Sequence, residues 1–298
     1  MSVPVCFPTP LPDETLYSIL CRYHVRSCNA SGKATIMQLF DGRQPSLHTS
    51  MLSPYPLKYA ASWKDHFVGA SMESMVLEHS AVPFYRAFRS RTVPSLSDYS
   101  AFRYFITMYN NCCTSTKKLR YCPKCAQSQW EAFGTVYWQV LPQIRGYEIC
   151  LLHKEPIRET AISHHDIQQS FFPASNVIGH DNSCGETERL HRIEKHWEEY
   201  LQQAEDINYI FRHSYPGLCF PKNFCKIVIQ RIFPEEPVWV QRLLYDDFLF
   251  DCEDYPGSNY LLDTLKDIPS LISRFEYMPI CLQMYFCRIV FGDIKKAC

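Results

Sequence analysis

Apolar positions recur at helical spacing through much of this chain. Beyond a proline-stiffened entry, Phe7-Pro8-Thr9-Pro10-Leu11-Pro12, residues Leu16, Ile19, Leu20 and Tyr23 fall at i, i+3, i+4 and i+7 and share one helix face. Asp13 is the expected cap of that helix. Ser31 or Gly32 opens a second short helix with Ile36, Leu39 and Phe40 inward, and the stretch 54–67 suits a third. Met72, Met75, Val76 and His79 make a further stripe, with the two methionines as core filler, ended by Pro83. Tyr99, Phe102, Ile106 and Tyr109 make the next. The period then changes. Thr135-Val136-Tyr137-Trp138-Gln139-Val140 is β-branched and aromatic, which predicts a strand. Helical spacing returns in 186–203, with Leu190, Ile193, Trp197 and Leu201 on one face. It continues in runs over 224–232, 238–250, 263–275 and 280–291.

Composition supports folded structure: 46% hydrophobic, 14% aromatic and only 20% charged residues argue against long disordered tracts. The net charge of −1 hides a division, +6 over residues 1–155 and −7 over 156–298. A basic front half suits a phosphate backbone, whereas an acidic rear half suits protein partners. The 15 cysteines, with Cys112 and Cys113 adjacent, do not form a disulfide framework. Met1 to Pro12 carries no secretory leader, so a reducing, cytoplasmic setting is expected. The apolar runs are too short for a membrane span.

The strongest chemical signal lies on either side of the predicted strand. Cys122-Pro123-Lys124-Cys125 and Cys150-Leu151-Leu152-His153 each place two soft donors across a two-residue gap, the spacing of zinc knuckles. Four protein donors fill a tetrahedral ion, which favours a structural zinc over a catalytic one. The expected fold is therefore mainly α with a small zinc-ribbon β module. It divides into an N-terminal helical, helix-turn-helix-like domain over 1–110, the zinc ribbon over 111–160 and a C-terminal helical domain over 161–298.

Other constellations carry less. Gly32-Lys33-Ala34-Thr35 lacks the earlier glycine and the hydroxyl residue after lysine that a phosphate-binding loop requires. Asp246, Asp247, Asp251, Glu253 and Asp254 read as an acidic face rather than a nuclease cluster. His164, His165, His180 and Cys184 match no standard metal spacing. Nothing resembles a serine-nucleophile elbow, and no catalytic set is expected. Three basic groups are candidates for double-stranded DNA contact: Arg86, Arg89 and Arg91; Lys117, Lys118 and Arg120; and Lys124 with Arg145 and Lys154. For any one of them, ordinary solubilising charge is the alternative.

Several segments together resemble a known family. Phe7-Pro8 with Asp13-Glu14-Thr15-Leu16-Tyr17-Ser18-Ile19-Leu20-Cys21-Arg22-Tyr23 is similar to the N-terminal signature of the TniQ/TnsD transposition proteins. Glu78-His79-Ser80 with Pro83-Phe84-Tyr85 and Phe88 resembles their next segment, with serine at a position where threonine is usual. Tyr121 to Cys125, Trp138-Gln139 and Cys150 to Lys154 resemble their zinc segment. The resemblance covers roughly 7–157 and is weaker beyond, through Pro279 and 282–292. It implies a protein that selects the target for a heteromeric transposase and recruits the AAA+ regulator TnsC. It further implies TnsC contact by Phe7, Glu14, Tyr17 and Arg22, with simple packing of the first helix as the alternative, and leaves a homodimer open. Within that family some members read an attachment site directly, while others are adaptors carried by a guide-RNA effector complex of the Cascade type. The chain's stop soon after Gly292 points to the adaptor. The alternatives are a stand-alone attachment-site reader and, from another class, a zinc-dependent nucleic-acid enzyme, against which a closed Cys3His site argues.

Overall fold

The structure is a computed structural model describing residues 7–43, 47, 72–87, 118–168, 170–179, 186–213, 283, 284, 288 and 291–296. It divides into two compact units: Met1–Val82 with Val93–Glu188, and Pro83–Thr92 with Arg189–Cys298. As expected it is mostly helical with a small β component. Among the described residues no helix is long and apolar enough to cross a membrane.

Helix α1 (Leu16–Ser27) is the hub of the first unit, with Leu16, Tyr17, Ser18, Ile19, Leu20, Cys21 and Tyr23 all buried. Its cap is Thr15, not Asp13: Thr15 is extended and its hydroxyl accepts the Ser18 N–H at 3.1 Å. Asp13 instead sits at φ 56°, a left-handed position in the turn before the helix. Helix α2 (Gly32–Leu39) starts where the pattern placed it, with Ser31 as cap and Ile36, Leu39 and Phe40 buried. Helix α3 (Met72–His79) buries Met75, Val76 and His79, and Pro83 falls in the first turn of the short α4 (Val82–Arg86). Ser80 joins them: its hydroxyl donates to the Val76 carbonyl and accepts the Val82 N–H at 3.2 Å. A serine hydroxyl thus meets both bonds of that buried position.

Among the described residues the β component is two antiparallel ladders. Strand β1 (Lys118–Tyr121) pairs with β4 (Arg158–Ser163), and β2 (Ile149–Cys150) pairs with β3 (Glu155–Pro156). Helix α5 (Pro123–Phe133) follows β1 directly. The strand predicted over 135–140 is not a ladder: only Gln139 bridges, to Glu14. The reason is visible in where its backbone groups go. Trp138 N–H donates to the Ser18 hydroxyl at 3.1 Å, and Thr15 N–H donates to the Trp138 carbonyl at 2.8 Å. Val140 N–H donates to the Asp13 carbonyl, and Tyr137 N–H to the Gln129 side chain. The segment is extended because it pairs with the entry to α1 and with side chains, not with another strand.

Beyond β4, α6 (His164–Ile167) is closed by a reciprocal cap between Ser163 and Asp166, and α7 (Ala174–Val177) follows. The segment between them is fastened to α1. Tyr17 Oη donates to the Ser170 carbonyl at 3.0 Å and accepts the Phe172 N–H at 3.1 Å. The fully buried Trp138 adds its indole N–H to the Phe172 carbonyl at 2.7 Å.

Helices α8 (Glu186–Lys195) and α9 (Trp197–His213) are nearly one helix. The bonds His196 N–H to Arg192 O and Tyr200 N–H to His196 O carry the ladder across the junction. The buried face is not the expected one. It runs through Ile193, His196, Tyr200, Gln203, Ala204, Ile207, Ile210 and Phe211, so only Ile193 of the predicted stripe is fully buried. Small and polar residues occupy inward positions that a hydrophobicity pattern does not mark. The helices expected over 54–67, 99–109, 224–232, 238–250 and 263–275 lie outside the described residues.

Tyr17→Phe is expected to destabilise the chain by ~1–3 kcal/mol in urea melts, because the Phe172 N–H loses its acceptor. A loss below a few tenths of a kcal/mol would show that the segment is not held by this hydroxyl.

Candidate metal centre

Cys122 follows β1 directly and holds the N-cap position of α5, where Pro123 supplies the first helical residue without an N–H to satisfy. Cys125 follows one turn later, so both sulfurs lie at a helix N-terminus, whose dipole favours thiolates. The second pair occupies a hairpin. Cys150 ends β2, Lys154 turns the chain at φ 50°, and Lys154 N–H closes the loop onto the Cys150 carbonyl at 2.7 Å.

All four predicted donors meet. The ligand atoms of Cys122, Cys125, Cys150 and His153 lie within 4.8 Å of one another. Cys125 Sγ is 3.7 Å from Cys150 Sγ. His153 Nδ1 is 3.5, 3.3 and 3.7 Å from the sulfurs of Cys122, Cys125 and Cys150. A tetrahedral ion with Zn–S of about 2.3 Å and Zn–N of about 2.0–2.1 Å has S···S edges of about 3.8 Å and S···N edges of about 3.6 Å. The donor set and its spacing therefore fit such an ion. Crowding also distorts the thiol chemistry: hydrogen bonds from Cys122 and Cys125 hold Cys150 below the ordinary thiol value, while Cys125 is pushed up by Cys122 and Cys150. Three thiolates need a cation among them.

Arg120 was expected on the DNA-facing surface, and the structure corrects this. Its side chain is 1% exposed. The guanidinium reaches Glu148 at 2.6 Å and the Tyr147 carbonyl at 3.0 Å, with Glu159 at 3.8 Å. Its backbone exchanges hydrogen bonds with the Gln143 side chain. Arg120 stands two residues before Cys122, and Glu148 two before Cys150, so their pair sets the two knuckles side by side. No local pattern marks it, because its partners lie 28 and 39 residues away.

Lys118 and Lys124 keep exposed side chains, beside Glu159 at 3.9 Å and Glu155 at 2.5 Å. Arg86 ends α4, while Arg89, Arg91 and Lys117 lie outside the described residues. His164 and His165 begin α6, while His180, Cys184 and the acidic group 246–254 also lie outside.

Phe7, Glu14, Tyr17 and Arg22 form an internal brace. Phe7 stacks on Tyr23 at 5.1 Å, and Tyr17 and Glu14 are fully buried. Arg22 joins Glu14 Oε2 at 3.1 Å and the Thr9 carbonyl at 2.7 Å, fixing the entry segment on α1. Leu11 N–H donates to the same carboxylate oxygen, while Glu14 Oε1 is buried without a hydrogen bond. His79 Nδ1 donates to the Glu14 carbonyl at 2.7 Å, and burial holds its imidazole below its ordinary value. Burial also pushes the Glu14 carboxyl up to about 7, against the opposing pull of Arg22.

Fold and site define a mainly helical protein with a small β module assembled round a Cys3His metal-ligand cluster. The TniQ family model matches residues 5–157, just over half of the chain, and the chain belongs to that family. No curated protein matches it. Membership makes it a transposition-associated target-selection protein.

Two outcomes follow from this geometry. Arg120→Ala breaks the buried ion pair with Glu148, and is expected to cost ~3–5 kcal/mol in denaturant melts. A surface cation would cost almost nothing, so a loss below about 0.5 kcal/mol contradicts the assignment. For Glu14, the folded chain keeps the proton to about 7, whereas the unfolded chain releases it near 4.5. The folded state binds more protons across that window, so stability falls as pH rises through it, by up to ~3 kcal/mol. Glu14→Gln is expected to flatten this loss between about pH 5 and about pH 8. If both proteins lose stability in parallel, the carboxyl is ionised throughout.

Proposed function

We propose that the chain is a non-enzymatic adaptor which couples a target-DNA recognition complex, of the guide-RNA Cascade type, to the AAA+ regulator TnsC. The observation that carries this reading is the cluster of four protein donors at tetrahedral spacing. A zinc ion bound there has its corners filled by Cys122, Cys125, Cys150 and His153, with none left for a reacting water. Such an ion supplies cross-linking: it ties the start of α5 to the 150–154 hairpin and contributes folding energy.

The adaptor gains affinity by holding two partners at once, since engaging one raises the effective concentration of the other. The segment 7–14 is the surface offered to TnsC. Glu14, Tyr17 and Arg22 act from beneath, by fixing that segment's shape, and Phe7 anchors its start on Tyr23.

The test is co-sedimentation of full-length protein with purified TnsC and the effector complex. A three-part complex is expected, and Arg22→Glu is expected to lower TnsC capture at least tenfold while zinc content and the circular dichroism spectrum stay the same. Full TnsC capture by a well-folded Arg22→Glu protein contradicts the segment's role. Absence of any three-part complex with the wild-type chain contradicts the adaptor itself.

A further inference from the structure

The second unit carries a group of cations brought together from two segments about eighty residues apart in sequence. Helix α9 ends in Arg212 and His213, both exposed. The His213 ring stacks on Tyr209 with centroids 4.3 Å apart. Beside them lies the turn Ile294–Lys296, where Lys295 Nζ stands 5.4 Å over the Tyr209 ring and Lys296 is exposed. Arg212 lies over Phe211 with its guanidinium carbon 5.5 Å from that ring.

The arrangement is held in place from below. Arg288 is ion-paired to the buried Asp206 of α9, Gly292 turns the chain at φ 74°, and Ile294 is fully buried. Lys295, the next residue, is thereby fixed over Tyr209 in the last turns of α9, and Lys296 follows it. The helix dipole accounts for Arg212 and His213 at a C-terminus. It does not account for Lys295 and Lys296, which belong to another segment. Asp293 accepts the Lys295 N–H through its side chain, and Glu205 stands one turn before Tyr209 on α9.

We infer that Tyr209, Arg212, His213, Lys295 and Lys296 form a docking surface for the phosphate backbone of double-stranded DNA. Charge complementarity favours a polyanion, and the ordered, aromatic-backed cations lower the entropy cost of binding it. The inference rests on the reading of the chain as a protein that works on target DNA. Binding is sequence-indifferent, because phosphate contacts carry no base information.

The experiment is anisotropy of fluorescent duplexes of unrelated sequence, titrated with the full-length zinc-loaded protein from about 50 to about 200 mM salt. Lys295→Ala with Lys296→Ala is expected to make the log–log salt slope shallower by about 2, at ~0.9 for each phosphate no longer neutralised, equally for every duplex. Lys295→Arg with Lys296→Arg is expected to restore it. An unchanged slope in the alanine variant overturns the surface, as does a defect confined to one sequence. Vesicles containing phosphatidylserine serve as the second probe, and a defect seen on vesicles but not on duplex DNA also overturns it. TnsC capture by the wild-type chain separates the two claims: intact capture with an unchanged salt slope removes this surface and leaves the adaptor standing.

Discussion

Three sulfurs and an imidazole nitrogen packed within 4.8 Å are a demanding arrangement for a chain with so little β structure around them. The ladders that deliver the donors are two to six residues long, and the hairpin bearing Cys150 and His153 has only two paired positions. An isolated hairpin of that size is not stable in water. Gathering the thiols also raises the cost of ionising them, since each thiolate opposes the next. A divalent cation removes both difficulties, with an apparent binding energy of ~10–16 kcal/mol in small zinc modules. The buried Arg120–Glu148 pair aligns the approaches to both knuckles, and its own net stabilisation is small beside the cost of breaking it.

Within the first unit, the segments that carry the family likeness are far apart in sequence and adjacent in space. The entry to α1 bonds to 137–140 through Thr15, Ser18 and Asp13, and His79 at the end of α3 closes on the Glu14 carbonyl. Trp138 and Tyr17 then hold 170–172 on the other side of α1. These motifs are contact partners in one packed unit, which gives a physical reason for them to occur together. The Cys3His cluster is continuous with that unit through β1, Arg120 and the extended 135–140 segment. An ion there supports the helical core as well as its own loops.

The sequence revealed what depends on local spacing and concealed what depends on distant partners. The knuckle spacings located the four clustered donors because two residues between donors is itself the geometry of the turn. Helices α1, α2 and α3 were legible because their inward faces are apolar at a regular period. The inward face of α8 and α9 was not, since His196, Tyr200, Gln203 and Asp206 occupy core positions. Arg120 read as a surface cation for the same reason, because nothing nearby announces Glu148. The 135–140 segment has strand composition, but its partners are Ser18 and the α1 entry, over a hundred residues earlier. Lys295 carries no local signal in an acidic half, and only folding sets it over Tyr209.

X-ray absorption at the zinc edge on the purified full-length protein tests the central claim most directly. The account predicts a four-coordinate ion with three sulfur scatterers at about 2.3 Å and one nitrogen at about 2.0–2.1 Å. A first shell dominated by oxygen or nitrogen, an open position holding water, or protein that folds fully with no zinc bound would contradict it.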